Sequence, residues 1–149
     1  MEKGIYESLG IFEGDRLTGY VLLVHLGDEY LLDYFAVFTE YRNGGIGSEA
    51  LKLLSDYISE TAYVVLEVEN PEYAKEPQDR ELQTRRVGFY LRNGCADTGV
   101  RVTCFGVPFI LLALGDSRWN AEEIRERYKG FYRKMLPPLM YLRNIRIDK

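Results

Sequence analysis

Cysteine is scarce in this chain of 149 residues: Cys95 and Cys104 are its only thiols. Two so far apart make neither a zinc site nor a disulfide framework, so the sequence predicts no metal and two buried, inert thiols. Long apolar runs are missing too. The longest, Val107 to Leu114, is interrupted by Pro108 and falls far short of a membrane span. There is no excess of positive charge: 19 Lys+Arg stand against 23 Asp+Glu, net −4, which excludes a general nucleic-acid binder. The opening residues Met1 to Glu7 carry no hydrophobic signal core, which leads to the expectation of a cytoplasmic chain. Histidine occurs once, as His25 in an early strand, and is read as a core or surface residue.

What is present is the composition of a folded domain. Hydrophobic residues make up 46% and charged residues 28%, which excludes a disordered or fibrous chain. At this length a single domain buries roughly 68–70% of its unfolded surface. The charge is unevenly placed. Residues 1–115 hold 10 basic and 18 acidic side chains, residues 116–149 hold 9 and 5. An acidic body leans toward a cationic small molecule, although a solvated surface with a basic helix explains the same counts.

Periodicity divides the chain. Ser8–Phe12, Gly19–His25 and Tyr30–Phe38 read as three strands of a meander, with turn signals at 13–16 and 27–29. The third is apolar except for Asp33 and is expected to be central and covered on both faces. From Ile46 the spacing changes to three and four, predicting an amphipathic helix ending near Glu60. Tyr63–Glu69 is a β-branched strand stopped by Asn70-Pro71, and residues 72–79 read as a loop. Arg80–Asn93 is a helix with Gly94 beyond it. Val100–Phe105 and Phe109–Leu114 are strands. Asn120 and Glu123 resemble a capping box opening a helix through Met135, with Ile124, Tyr128, Phe131 and Met135 on one face. The Tyr30–Glu69 unit is β-α-β, so its strands are parallel while the rest of the sheet is antiparallel. The expected class is α/β or α+β. The domain is expected over 1–136, followed by a C-terminal tail, 137–149, with strand character at 139–147.

The informative stretch is Tyr41-Arg42-Asn43-Gly44-Gly45-Ile46-Gly47-Ser48, between strand and helix. Unpaired amides at a helix N-terminus favour an anion, and glycines let a phosphate approach them. An ordinary glycine-rich turn is the plainer reading. A P-loop is excluded, because Gly47 and not Lys precedes Ser48. A dinucleotide fingerprint is a nearer miss: Gly45-Ile46-Gly47-Ser48-Glu49-Ala50 fits G-x-G-x-x-A, but the polar stretch 39–43 separates it from its strand.

Arg42-x-x-Gly45-x-Gly47 resembles the Arg/Gln-x-x-Gly-x-Gly/Ala signature of the GNAT superfamily of acyl-CoA N-acyltransferases. Tyr34-Phe35-Ala36-Val37 before it, Leu66-Glu67-Val68-Glu69-Asn70 after it, and Phe89-Tyr90-Leu91-Arg92-Asn93-Gly94-Cys95 further on resemble the family's words in order. The resemblance covers about residues 8–115. It implies a mostly antiparallel sheet with a splayed parallel pair and helices on both faces, acetyl-CoA as cofactor, and acetyl transfer to a small-molecule or peptide amine.

By the same resemblance, amides of Arg42, Asn43, Gly44, Gly45, Ile46, Gly47 and Ser48 take the CoA pyrophosphate. Phe35, Ala36 and Val37 line the pantetheine arm, and Asn70 contacts it or a water, its plainer use being the turn residue before Pro71. Tyr90 is the expected general acid for the thiolate, and Glu67 or Asp33 the expected base, unless a water chain suffices. The family's chains begin with an edge strand and two helices that wall the acceptor pocket. Here the meander starts by residue 8, so the cofactor half matches while the acceptor half is short. An active N-acetyltransferase and a non-catalytic acyl-CoA-binding module both follow. For the tail, an extended segment packed elsewhere is the plainer expectation; the other is that 139–147 covers the first strand's edge within the chain or in a neighbour, as in a homodimer.

Overall fold

The computed structural model describes residues 5–58, 63–114 and 120–148. Three strands come first: β1 (Ile5–Glu13), β2 (Arg16–Leu26) and β3 (Glu29–Val37), joined by two-residue loops. Helix α1 (Ile46–Tyr57) crosses to β4 (Tyr63–Glu69). Helix α2 (Pro77–Arg92) leads to β5 (Cys95–Cys104) and β6 (Val107–Leu114). Helices α3 (Ala121–Met135) and α4 (Pro138–Asn144) and the short strand β7 (Ile145–Ile147) follow. The sheet runs β1-β2-β3-β4-β6-β5-β7. Among the described residues β3 and β4 are its one parallel pair, as the helical crossover between them requires.

Each face of the sheet carries its own apolar cluster. Leu51, Leu54 and Ile58 at α1 and Tyr90 of α2 pack on Leu23, Leu32, Leu66 and Leu112. On the other face Ile124, Tyr128, Phe131 and Tyr132 of α3 pack on Val24, Leu31, Val65 and Leu111. Asn120 and Glu123 form the expected capping box, each side chain accepting from the other's backbone N–H. No helix is long and apolar enough to cross a membrane among the described residues.

Several expectations change. The strand β3 is not covered on both faces throughout, because Asp33 and Tyr34 are exposed. The helix expected from Arg80 begins at Pro77, a residue suited to a first helical turn, and β5 begins five residues early, at Cys95. The end of α1 expected near Glu60 falls outside the described residues. The tail differs most. Residues 138–144 are a helix opened by Pro138, and Tyr141 and Ile145 join the core under α3. Strand β7 pairs with β5, Val102 to Ile147 through Cys104 to Ile145, at the opposite edge of the sheet from β1. The proposed cover of β1 is therefore withdrawn within this chain. The reason is local: Pro137-Pro138 restarts a helix, and its short length delivers the chain beside β5, where Asn144 accepts a bond from the Phe105 amide.

Both cysteines are buried, and burial pushes each thiol from an ordinary 9.0 up to about 12. A folded value above the unfolded one means that these thiols favour folding below pH ~9, and that this contribution drains away as pH rises toward 12. Urea denaturation between pH 7 and 12 under reducing conditions should show stability falling through that window, on the order of a few kcal/mol. Cys95→Ala should make the fall shallower.

Candidate active site

The site begins with an irregularity in β3. Leu23 of β2 pairs with Leu32, and Leu22 with Tyr34, so Asp33 is an extra residue on β3. Such a bulge bends its strand. The parallel ladder to β4 runs only from Glu29–Tyr63 to Leu32–Leu66 and stops where the bulge begins. Past that point β3 and β4 diverge, and among the described residues no strand lies along the β4-facing edge of β3 over 33–37.

A cleft of about 720 Å³ fills this fork. Its walls are the free stretch of β3, the far end of β4, the loop into α1 and one side of α2, including Arg85, Arg86, Phe89 and Tyr90. Phe35 contributes to the floor against Phe89 and Tyr90, with ring centroids 6.2 and 6.3 Å away.

The loop is held from within. The Arg42 guanidinium Nε donates to the Val37 carbonyl at 2.9 Å, and the Arg42 amide donates to the Thr39 carbonyl at 3.3 Å. That amide is thus occupied, so the expected cradle loses its first member and starts at Asn43. Gly45 caps α1 at φ +80, a left-handed conformation that glycine adopts without strain. No side chain caps the helix. Its first-turn amides, at Ile46, Gly47 and Ser48, lie before the first possible intrahelical partner and border the cleft. Gly47 answers a different need. A Cβ there would stand 3.2 Å from the Phe89 ring and 3.6 Å from Val37, so its absence lets α1 sit close to α2.

Tyr90 is buried at the base of the cleft. Burial is the main cause that pushes its phenol up to about 12, with the Cys95 thiol adding to the rise and the Arg86 guanidinium opposing it. Glu67, the first β4 residue beyond the ladder, also lines the cleft, yet its carboxylate is engaged from the α3 face. Tyr128 donates to one oxygen and Tyr132 to the other, both at 2.6 Å. Burial raises the Glu67 pKa, while the two phenols and the Cys104 thiol pull it down and the Asp33 charge adds to the rise. Glu69 is tied to α2 instead, accepting from Gln83 at 3.1 Å and lying 3.4 Å from Arg86.

Of the residues expected from the sequence, Asp33, Phe35, Ala36, Val37, Arg42, Asn43, Gly45, Ile46, Gly47, Ser48, Glu67 and Tyr90 meet in this cleft. Gly44 and Asn70 do not line it. The Asn70 side chain accepts from the Glu72 amide at 3.0 Å and caps the turn Pro71–Tyr73, which is its work as the residue before a proline. His25 lies away from the cleft, stacked on Tyr30 at 5.0 Å and 3.7 Å from Glu7. Tyr132 was missed altogether, and Tyr128 was assigned only to an apolar face. No short-range signal singles them out: β4 carries both Glu67 and Glu69, and the two phenols, one helical turn apart, sit on a helix face that otherwise reads as apolar.

The profile of the acetyltransferase (GNAT) family matches residues 2–77, about half of the chain. No curated protein sequence matches it. Among solved structures, a GNAT-family protein from Bacteroides thetaiotaomicron is similar at 24% identity and a TM-score of 0.64, covering 88% of this chain and 74% of its own. The ribosomal-protein-S18-alanine N-acetyltransferase of Escherichia coli is similar at 18% identity and 0.54, over 76% of this chain and 74% of its own. A GNAT acetyltransferase from Elizabethkingia anophelis, solved with acetyl-CoA bound, is similar at 19% and 0.52, over 70% and 72%. These likenesses are of fold.

The Gly47–Phe89 contact generates a stability prediction. Gly47→Val should lower Tm by several degrees in a thermal melt, each kcal/mol being worth about 2–4 °C at this size. Phe89→Leu in the same chain should recover part of the loss, since it removes the opposing ring edge. Equal losses with and without Phe89 would place the strain elsewhere.

Proposed function

The chain belongs to the acetyltransferase (GNAT) family, and from that premise we propose that it transfers an acetyl group from acetyl-CoA to a primary amine by direct attack. The observation that carries the reading is the fork between β3 and β4. It gathers an anion-accepting helix start, a free strand edge, a buried phenol and three carboxylates, Asp33, Glu67 and Glu69, into one cleft of about 720 Å³, the size of a small-molecule site.

The residues suit the cofactor. The amides of Asn43 and of Gly45 to Ser48 would hold the pyrophosphate, with Arg42 keeping the loop in shape. The unpaired edge at Phe35, Ala36 and Val37 would take the amide groups of the pantetheine arm. Acetyl-CoA supplies an acetyl group activated as a thioester. An amine with a pKa near 10 must lose a proton before it attacks, and Asp33 or Glu67, directly or through water, would draw it off. Tyr90 keeps its proton throughout the physiological range. A phenol at about 12 lies roughly 3.5 units above an ordinary thiol, a handover costing about 5 kcal/mol. Tyr90 therefore first donates a hydrogen bond to the departing sulfur, and Arg86 nearby eases release of its proton. The acidic body of the chain favours a cationic acceptor.

Acetyl-CoA should raise Tm in a thermal-shift measurement, and NAD should not. Gly45→Val should abolish that shift, because its backbone no longer presents the loop amides. A shift with NAD alone would overturn the reading, and binding without transfer to any amine of a broad panel would leave a binding module.

Tyr90→Phe should lower kcat by roughly 10²-fold and leave acetyl-CoA affinity nearly unchanged. Steady-state kinetics with calorimetric binding will check this. An unchanged kcat with chemistry rate-limiting would remove Tyr90 from the mechanism.

A further inference from the structure

We propose that Tyr128 and Tyr132 are positioning residues for Glu67: from α3 they fix its carboxylate at the fork as the group that receives the acceptor's ammonium, a role that Asp33 does not share. The inference rests on the acetyl-transfer reading and deepens it. The two carboxylates flank the same vertex, one residue beyond the last ladder pair on each strand. Their surroundings differ. Asp33 stands on the bulge, exposed to solvent, and its side chain is free to turn in water. Glu67 has a phenol on each oxygen at 2.6 Å, and both phenols belong to buried rings of one rigid helix.

That grip does two things. It fixes the direction of the carboxylate, since Tyr128 and Tyr132 are one helical turn apart with ring centroids 4.9 Å from each other. It also offsets the cost of burying the charge, because hydrogen bonds to the ionised form favour it. Each oxygen accepts one phenolic hydrogen, the Cys104 thiol takes a further site, and the carboxylate retains a lone pair for one more donor. An acceptor's ammonium meeting Glu67 passes one proton to a carboxylate oxygen and is left a neutral amine with its lone pair. The other titratable groups facing Glu67 are Cys104 of β5, whose thiol also favours the ionised form, and Asp33 of β3, whose charge opposes it. Across the cleft Arg86 is engaged by Glu69, and Tyr90 stays neutral. The phenols hold Glu67 from the face packed by α3, whereas the loop amides open α1 on the opposite face.

The test uses the intact chain and its Tyr128→Phe and Tyr132→Phe variants. Carboxyl-carbon NMR of free protein labelled in glutamate, with Glu67→Gln to assign the signal, reads the Glu67 titration without any ligand. Either phenylalanine should raise that pKa by about one unit. The acid limb of kcat/KM should move upward by the same amount, while acetyl-CoA affinity stays the same. A raised Glu67 pKa with an unmoved acid limb would overturn the inference and leave acetyl transfer standing. So would an acid limb that moves with Asp33→Asn and with neither phenylalanine. An unchanged Glu67 titration would overturn the grip itself. A chain that binds no acetyl-CoA would overturn the functional reading, and the ammonium role with it.

Discussion

The extra residue at Asp33 is the constraint on which the rest depends. In a regular sheet the ladder between β3 and β4 would continue past Leu32 and Leu66, and no cleft would exist. One inserted residue turns β3 away, frees its edge, and leaves Glu67 at the point of divergence. The loop, α1 and the end of α2 then line a gap already present in the sheet. The cost is a run of backbone groups without a strand partner, a vacancy that suits a ligand carrying amides of its own.

The second constraint is electrostatic. A carboxylate among apolar residues is expensive unless its oxygens are paired. Glu67 meets that requirement from one helix, and Tyr128 and Tyr132 in turn satisfy hydroxyls that sit deep in an apolar cluster. Removing one phenol leaves the other oxygen paired, whereas removing the carboxylate strips both hydroxyls of their acceptor. The arrangement is therefore a fold determinant as well as part of the site, joining α3 to β4 by the same bonds that orient the carboxylate.

Much of this was legible in the sequence, for reasons that follow from range. The strands, the crossover, the capping box and the loop are written in short spacings, and they appear close to where those spacings put them, β5 starting five residues early. The chemistry that meets in the cleft from Arg42 to Tyr90 carried recognisable words. What escaped was set by distance along the chain. The contacts of Glu67 with Tyr128 and Tyr132 span 61 and 65 residues, and nothing local marks them. Asn70 has two uses as a strand-end asparagine, and its side chain is seen capping the turn that Pro71 opens. The tail was misjudged because alternating residues at 141–147 suit a strand, while Pro138 starts a helix that carries most of them.

The four-residue ladder of β3 and β4 also gives the molecule a mechanical seam. On one side lie β1, β2 and β3, on the other β4, β6, β5 and β7, and among the described residues only Glu29–Leu32 against Tyr63–Leu66 stitches the two blocks within the sheet. Helix α3 braces the joint from one face: Arg127 lies 3.4 Å from Glu29 on one block, and its tyrosines hold Glu67 on the other. A load that peels the blocks apart would meet its least resistance along the cleft, at the end α3 does not span. A ligand seated in the fork would act there as a rivet, so occupancy and rigidity would rise together.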